Sequence, residues 1–161
     1  METSWESELA QLLNDLLGVQ DLLLATLTRK RDLLAAGDAE GLAAVATDEQ
    51  ALVDSLQECL KRRNTLLADA RKAGLPSANI QSLSSKLPRE KRKAIRHQVR
   101  QAAARARLLK HHSLTNWVIV QRTLIHLSQL LEIIATGGRL KPTYGEGEMV
   151  GASGGLVDGA A

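Results

Sequence analysis

The sequence has almost no aromatic residues: two tryptophans, one tyrosine and no phenylalanine occur among 161 residues. Leucine and alanine supply most of the apolar surface instead, and hydrophobic residues make up 44% of the chain. That content excludes a chain that is disordered throughout, and its leucine- and alanine-rich character is typical of a helix bundle. The length suits one ordinary domain.

Cysteine is also scarce, because Cys59 is the only one. No intrachain disulfide can form, so we expect a reducing compartment. Cys59 lies in a helical pattern beside Glu58, whose charge disfavours a thiolate, and we expect its side chain to pack in the core. The N-terminus lacks the basic and apolar regions of a secretory signal. No apolar run approaches the length of about 18 residues that a membrane-spanning helix needs. These absences predict a soluble, cytoplasmic protein without membrane insertion.

Residue patterns that carry chemistry are missing as well. No two histidines are four positions apart, which is the spacing that places two imidazoles on one helical face for a metal. The acidic residues are scattered along expected helix surfaces, and no carboxylate pair stands out. We therefore expect no active site, no metal and no cofactor. The four histidines are His97, His111, His112 and His126.

Positive charge is concentrated in one segment, although the formal net charge is only +3. Residues 86–112 hold ten lysines or arginines and one acid, Glu90, so the rest of the chain is net acidic by six. Clustered cations supply most non-specific nucleic-acid affinity, yet this segment has no aromatic side chain for base stacking. We expect these cations to be solvated or paired with acids of neighbouring helices.

The spacing of leucines predicts two helices of similar length. The first spans residues 5–36, where apolar positions recur at alternating intervals of four and three. Gly37 tolerates the positive φ of a helix end, and the carboxylate of Asp38 can cap the next helix. The second helix spans residues 39–73 and ends before Gly74. Because the turn between them is short, the two helices should be antiparallel neighbours.

The remaining sequence predicts a connector, a very long helix and a tail. Residues 75–87 are rich in serine and form the connector, with one or two helical turns within it. Pro88 suits the first turn of the third helix, which spans residues 88–136. Residues 138–161 are rich in glycine and form a flexible tail. A capping-box pattern at residues 47–50 leaves open a break in the second helix.

The expected fold class is therefore all-α. We predict an elongated, coiled-coil-like antiparallel bundle of three helices, two of about 32–35 residues and one very long. Residues 1–137 form a single bundle domain, and the glycine-rich tail follows it.

The two halves of the third helix differ in how much they can bury. Residues 88–110 contain few large aliphatic side chains, whereas twelve of the 21 positions in residues 114–134 are apolar and surround nearly the whole helix. Such a helix must be covered on more than one side. A second copy of the chain, its own tail or the helix of a client protein could cover it. Coverage by the first two helices unaided also stays open.

The order of these features resembles a known family, the FlgN-type flagellar export chaperones, which are small cytoplasmic helical proteins of bacteria. The resemblance covers the leucine-rich first helix, the acidic start of the second and the very long last helix. The residues that carry it are Lys61, Arg62 and Arg63 late in the second helix, Asn116 ahead of Leu124-Ile125, and Thr143-Tyr144-Gly145-Glu146-Gly147.

The resemblance implies a stoichiometric chaperone without catalysis. It would bind the C-terminal segments of hook-filament junction (hook-associated) proteins and protect them before type III secretion, with the export apparatus as a second partner. The expected client-binding residues are Asn116, Trp117, Ile119, Thr123, Ile125, Leu130, Ile133 and Tyr144.

Two other functions stay open. A structural coiled-coil or scaffold protein would self-associate, for example as a homodimer, through residues 114–134. A basic helical nucleic-acid-binding protein would lose affinity steeply as salt rises. The sequence leaves undecided the oligomeric state and any domain swapping through residues 75–87.

Overall fold

The computed structural model of the protein describes residues 4–137, and within them it contains helices and no strand. The all-α prediction is confirmed, and the three long helices begin and end within one residue of the predicted bounds. The chain divides into two compact units, Met1–Gln121 and Arg122–Ala161, whose boundary falls within the last helix. The predicted tail, residues 138–161, lies outside the described residues, and the predicted domain boundary before it stays a prediction. The helices are α1 (Ser4–Ala36), α2 (Ala39–Lys72), α3 (Ile80–Ser84) and α4 (Arg89–Thr136).

The turn between α1 and α2 forms as its local sequence predicts. Gly37 has a φ of 67°, a conformation that costs glycine little because it has no Cβ. The carboxylate of Asp38 then accepts a hydrogen bond from the backbone N–H of Gly41 at 2.8 Å, which caps α2. α2 runs through residues 47–50 without interruption, so the alternative break does not occur.

A short helix, α3, forms within the connector. Its capping box joins Asn79 and Ser82: the Asn79 carboxamide oxygen accepts from the Ser82 backbone N–H at 2.7 Å, and the Ser82 hydroxyl accepts from the Asn79 N–H at 3.0 Å. This cap directs Leu83, which is fully buried, into the bundle. Pro88 precedes α4 instead of starting it, and its carbonyl accepts from the Arg92 N–H at 2.9 Å.

The core of the first unit is built by all four helices. Leucines that share one face of α1 meet apolar residues of α2, and α3 together with the start of α4 closes that end of the bundle. Cys59 is buried there, as expected. The buried core cluster consists of Leu9, Leu12, Leu13, Cys59, Leu66, Ala70, Ile80, Leu83, Leu87 and Ile95.

Ion pairs show that α1 and α2 are antiparallel. Near the start of α1, Arg62 donates to Glu8 at 3.2 Å and to Asp15 at 2.7 Å. Near its end, Lys30 contacts Glu49 at 2.6 Å. The hydrogen bond to Asp15 is the largest cause that raises the pKa of the Arg62 guanidinium. These partly exposed pairs add modestly to stability, and they agree with the predicted antiparallel order.

α4 runs parallel to α1, which completes an up-down-up order of the long helices. Polar contacts between these two helices keep a nearly constant separation in sequence, between 82 and 89 residues. The same separation places Ala36, the last residue of α1, level with about residue 121, where the first unit ends. The contacts are Glu6 with Lys91, Asn14 with Gln98, Gln20 with Ala102, Asp21 with Arg105, and Leu27 with Asn116.

Two of these contacts are made by buried amides. Gln20 donates from Nε2 to the carbonyl of Ala102 at 3.1 Å, and Asn116 donates from Nδ2 to the carbonyl of Leu27 at 3.0 Å. The amide oxygens of both side chains are buried without a hydrogen-bond partner in the described part of the chain. Because a buried amide that misses its partner is costly, the two contacts favour one register of α1 against α4.

Candidate protein-binding surface

The described residues of the second unit carry an apolar surface that nothing in the described chain buries. Every residue from 122 to 137 is exposed. The exposed fraction reaches 66% for Leu131 and 76% for Ile134. Large apolar patches of this kind mark sites of interaction with another molecule. The large apolar side chains are Leu124, Ile125, Leu127, Leu130, Leu131, Ile133 and Ile134.

Four of these side chains form a stripe with the spacing of a coiled-coil seam. Leu124, Leu127, Leu131 and Ile134 follow intervals of three, four and three residues, which places them in one row along the helix. We call this row the apolar seam. A helix with a matching row could pack its side chains between them.

The apolar seam is absent from the set of residues predicted to bind the client. In the sequence, seam residues share the heptad spacing of the side chains that face the bundle, so periodicity alone does not separate the two roles. The signal that could have found them is length, because α4 has 48 residues whereas α1 has only 33.

The predicted site residues fall into three groups. Ile125, Leu130 and Ile133 are exposed in the second unit, and so is Thr123. In the first unit, Trp117 is 58% exposed and Ile119 is half-buried. Tyr144 lies outside the described residues.

Asn116 differs from the other predicted residues, because only 4% of it is exposed. Its amide donates to the carbonyl of Leu27, so it holds α4 against α1 inside the first unit. This contact is structural, and a role of Asn116 in client binding stays a prediction.

The comparison with protein families decides the identity of the chain. A family described as FlgN protein matches residues 1–149. The chain belongs to the FlgN family. No curated protein and no solved structure matches it. FlgN proteins are cytoplasmic, non-enzymatic chaperones of flagellum biogenesis and type III secretion, and they bind flagellar hook-associated proteins.

The apolar part of α4 also meets the length and composition criteria for a membrane-spanning helix. Among residues 4–137, the FlgN chain has one such helix, Arg89–Thr136, with a stretch of 18 residues whose mean hydropathy is 1.3 and of which none is buried. This hydropathy is an average over a stretch that polar side chains interrupt, so it does not contradict the expectation that no uninterrupted apolar run approaches 18 residues. An amphipathic helix that binds a protein can meet the same criteria. The reason is that length and mean hydropathy take no account of where the polar residues lie around the helix.

The described part of this FlgN protein contains a cysteine of low reactivity and no cluster of metal-binding side chains. Burial is the largest cause that raises the pKa of the Cys59 thiol, and the nearby charge of Arg62 opposes that shift. The thiolate fraction at neutral pH is therefore small. Residues 4–137 contain no group of three or more His, Cys, Asp or Glu side chains that could hold a metal ion.

Proposed function

We propose that this FlgN protein is a cytoplasmic flagellar export chaperone that binds hook-filament junction (hook-associated) proteins by their C-terminal segments and protects them before secretion. The observation that supports it most is the exposure of seven large apolar side chains in residues 122–136. A folded protein gains nothing by itself from keeping such a surface in water.

The apolar seam would receive an amphipathic helix of the client. Its four side chains are between about half and three-quarters exposed, so burying each one would contribute roughly 1 kcal/mol. Association itself costs at least about 4 kcal/mol, so the seam alone would hold a client weakly. A stable complex therefore needs side chains beside the seam as well, and Ile125, Leu130 and Ile133 are exposed there.

Further contacts would come from residues predicted on sequence grounds. Trp117, which is exposed, offers the large flat side chain that often dominates binding energy. Tyr144 would add an aromatic contact from the segment that follows α4. No covalent bond forms or breaks, and release at the export apparatus requires only that the client finds a competing partner.

Co-purification with C-terminal fragments of hook-associated proteins from the same organism tests this function. We expect one-to-one retention by the full chain and weaker retention after removal of residues 138–161. Leu131→Ser should weaken retention about fivefold, which corresponds to roughly 1 kcal/mol. Leu22→Ser is the matched control, because Leu22 is 59% exposed but belongs to α1. Equal retention of the client by both variants would contradict a role of the apolar seam in binding.

Self-association is the alternative that the same surface favours, because a heptad-spaced row also fits a second copy of the chain. Sedimentation of the chain alone distinguishes the two. A stable homo-oligomer that persists without residues 138–161, together with no client retention, would support a scaffold. Binding of nucleic acid that weakens steeply with salt would instead support the nucleic-acid alternative.

A further inference from the structure

The start of α4 carries a row of cations without acidic partners in the first unit. Lys91 and Arg105 of the same helix pair with Glu6 and Asp21 of α1, as expected for cations in a bundle. Five other cations between residues 89 and 100 form no ion pair with any acid of residues 4–137. These five, which we call the basic row, are Arg89, Arg92, Lys93, Arg96 and Arg100.

The cations of the basic row repel one another as long as no anion is bound to them. At 3.6 residues per turn, its members lie within about 100° of the helix circumference and along about 17 Å of its length. Several are three or four positions apart, which is the spacing at which like charges on a helix repel. The Nε atom of Arg92 is also buried without a hydrogen-bond partner. A bound carboxylate would relieve the repulsion within the row, whereas the partly buried guanidinium of Arg92 is held in place by its Nη2, which donates to the Leu87 carbonyl at 2.9 Å.

The row lines a groove that adjoins a second, apolar groove. The basic groove has a volume of about 560 Å³ and shares one wall, Gln81 of α3, with an apolar groove of about 340 Å³. Both belong to the first unit. Leu60, at the apolar groove, is 53% exposed although it lies within the length of the bundle. Five of the apolar lining residues are Leu12, Leu13, Leu16, Leu60 and Val99.

We propose that the two grooves together bind an acidic amphipathic helix of another protein, at a surface distinct from the apolar seam. Apolar side chains of that helix enter the apolar groove, and Asp or Glu side chains on its flank contact the basic row. The charge and polarity of the grooves match such a helix on two adjacent sides.

Other anionic partners match only part of this surface. A nucleic acid would use the cations but leave the apolar groove in water, and no aromatic residue is present to stack a base. A lipid bilayer requires apolar side chains that protrude, whereas these line a recess. A protein helix is the partner whose shape fills both grooves.

A designed helical peptide provides the probe. It has about 18 residues, with leucines at heptad spacing and a row of glutamates beside them. We expect binding to the full chain, measured by fluorescence anisotropy, and at least a tenfold loss for Arg96→Glu. That variant removes repulsion within the row, so its melting temperature should not fall. Arg29→Glu makes the same charge change at an exposed position of α1 and should bind the peptide as the unchanged chain does.

Two further measurements test the apolar half of the proposal. Leu60→Ser should weaken peptide binding without lowering the melting temperature, because Leu60 is already half exposed. Cys59 lines the apolar groove, so saturating peptide should slow the reaction of its thiol with a small disulfide reagent. Retention of hook-associated fragments should be unaffected by Arg96→Glu, since no cation of the row belongs to the apolar seam.

Several results would overturn the proposal. Equal binding of a peptide with lysines in place of the glutamates would remove the role of charge. Tighter Arg96-dependent binding of a short single-stranded RNA, or of phosphatidylglycerol vesicles, would assign the surface to that partner instead. Self-association that Arg96→Glu abolishes would assign it to a second copy of the chain. Absence of peptide binding, or an unprotected Cys59, would also contradict it.

Discussion

Asn116→Leu is expected to stabilise the bundle while it loosens the register between α1 and α4. In the folded chain the Asn116 amide nitrogen donates to the carbonyl of Leu27, but the amide oxygen is buried without a partner in the described residues. The Leu27 carbonyl lies within α1, where the helix backbone already supplies a donor. Leucine therefore removes one hydrogen bond and one unsatisfied oxygen, and it adds apolar surface to a buried position.

The magnitudes favour leucine. The lost hydrogen bond contributes about 1 kcal/mol net, whereas an unsatisfied buried acceptor costs about 1–3 kcal/mol. Burying the leucine side chain contributes up to about 2 kcal/mol more, and imperfect packing of the new shape returns about 1.5 kcal/mol. We expect the free energy of unfolding to rise by about 1–2 kcal/mol and the melting temperature to rise by several degrees.

Urea unfolding followed by circular dichroism measures this change, with Asn116→Asp as the opposite control. The aspartate would bury a charge without a cation and should lower the free energy of unfolding by about 3 kcal/mol or more. The register is measured separately by zero-length cross-linking of Lys91 to Glu6, which lie 3.2 Å apart, and the yield should fall in the leucine variant. A loss of more than about 1 kcal/mol for Asn116→Leu would refute the reasoning, because it would mean that the amide oxygen is satisfied in the folded protein.

Three other predictions concern stability and reactivity. Leu9→Ala should lower the free energy of unfolding by about 3 kcal/mol, because Leu9 is fully buried. Leu131→Ala should change it by less than about 0.5 kcal/mol, and denaturant titration of both variants measures the difference. Arg62→Gln should cost about 1 kcal/mol or less, and the cost should shrink in 1 M salt, because its ion pairs are partly exposed; an undiminished cost at high salt would contradict this account. Cys59 should react with a thiol reagent much more slowly at pH 7 than free cysteine does, because burial raises the pKa of its thiol, and the reaction should become faster as the pH rises. A rate equal to that of free cysteine would show that the thiol is not buried.

The three long helices follow from local sequence to within one residue at each end. Gly37 and Asp38 end one helix and start the next through their own backbone and side-chain chemistry, so no distant residue is needed to position the turn. The capping pattern at residues 47–50 shows the limit of such signals. Packing of α2 along α1 keeps that segment helical although a local alternative exists.

The candidate site was only partly predictable. The sequence places many apolar residues between 114 and 134, and the structure leaves those beyond residue 121 exposed. Asn116, which is among the residues predicted to bind the client, is buried against α1, a contact that its spacing in the sequence does not reveal. Whether a side chain is buried depends on which helix lies opposite it and where that helix ends. The spacing of residues in the sequence does not encode either.

By itself, the sequence determined the helical class, the helix bounds and the uneven distribution of apolar and basic residues, because spacing, caps and composition act within a few residues of one another. Only the tertiary structure decided which apolar and basic side chains remain without partners. The parallel register of α1 and α4 places the end of α1 level with about residue 121, and the ion pairs with α1 take up Lys91 and Arg105 but not the basic row. A seam and a core stripe have the same spacing, so the length and register of the opposing helix determine which of them is buried.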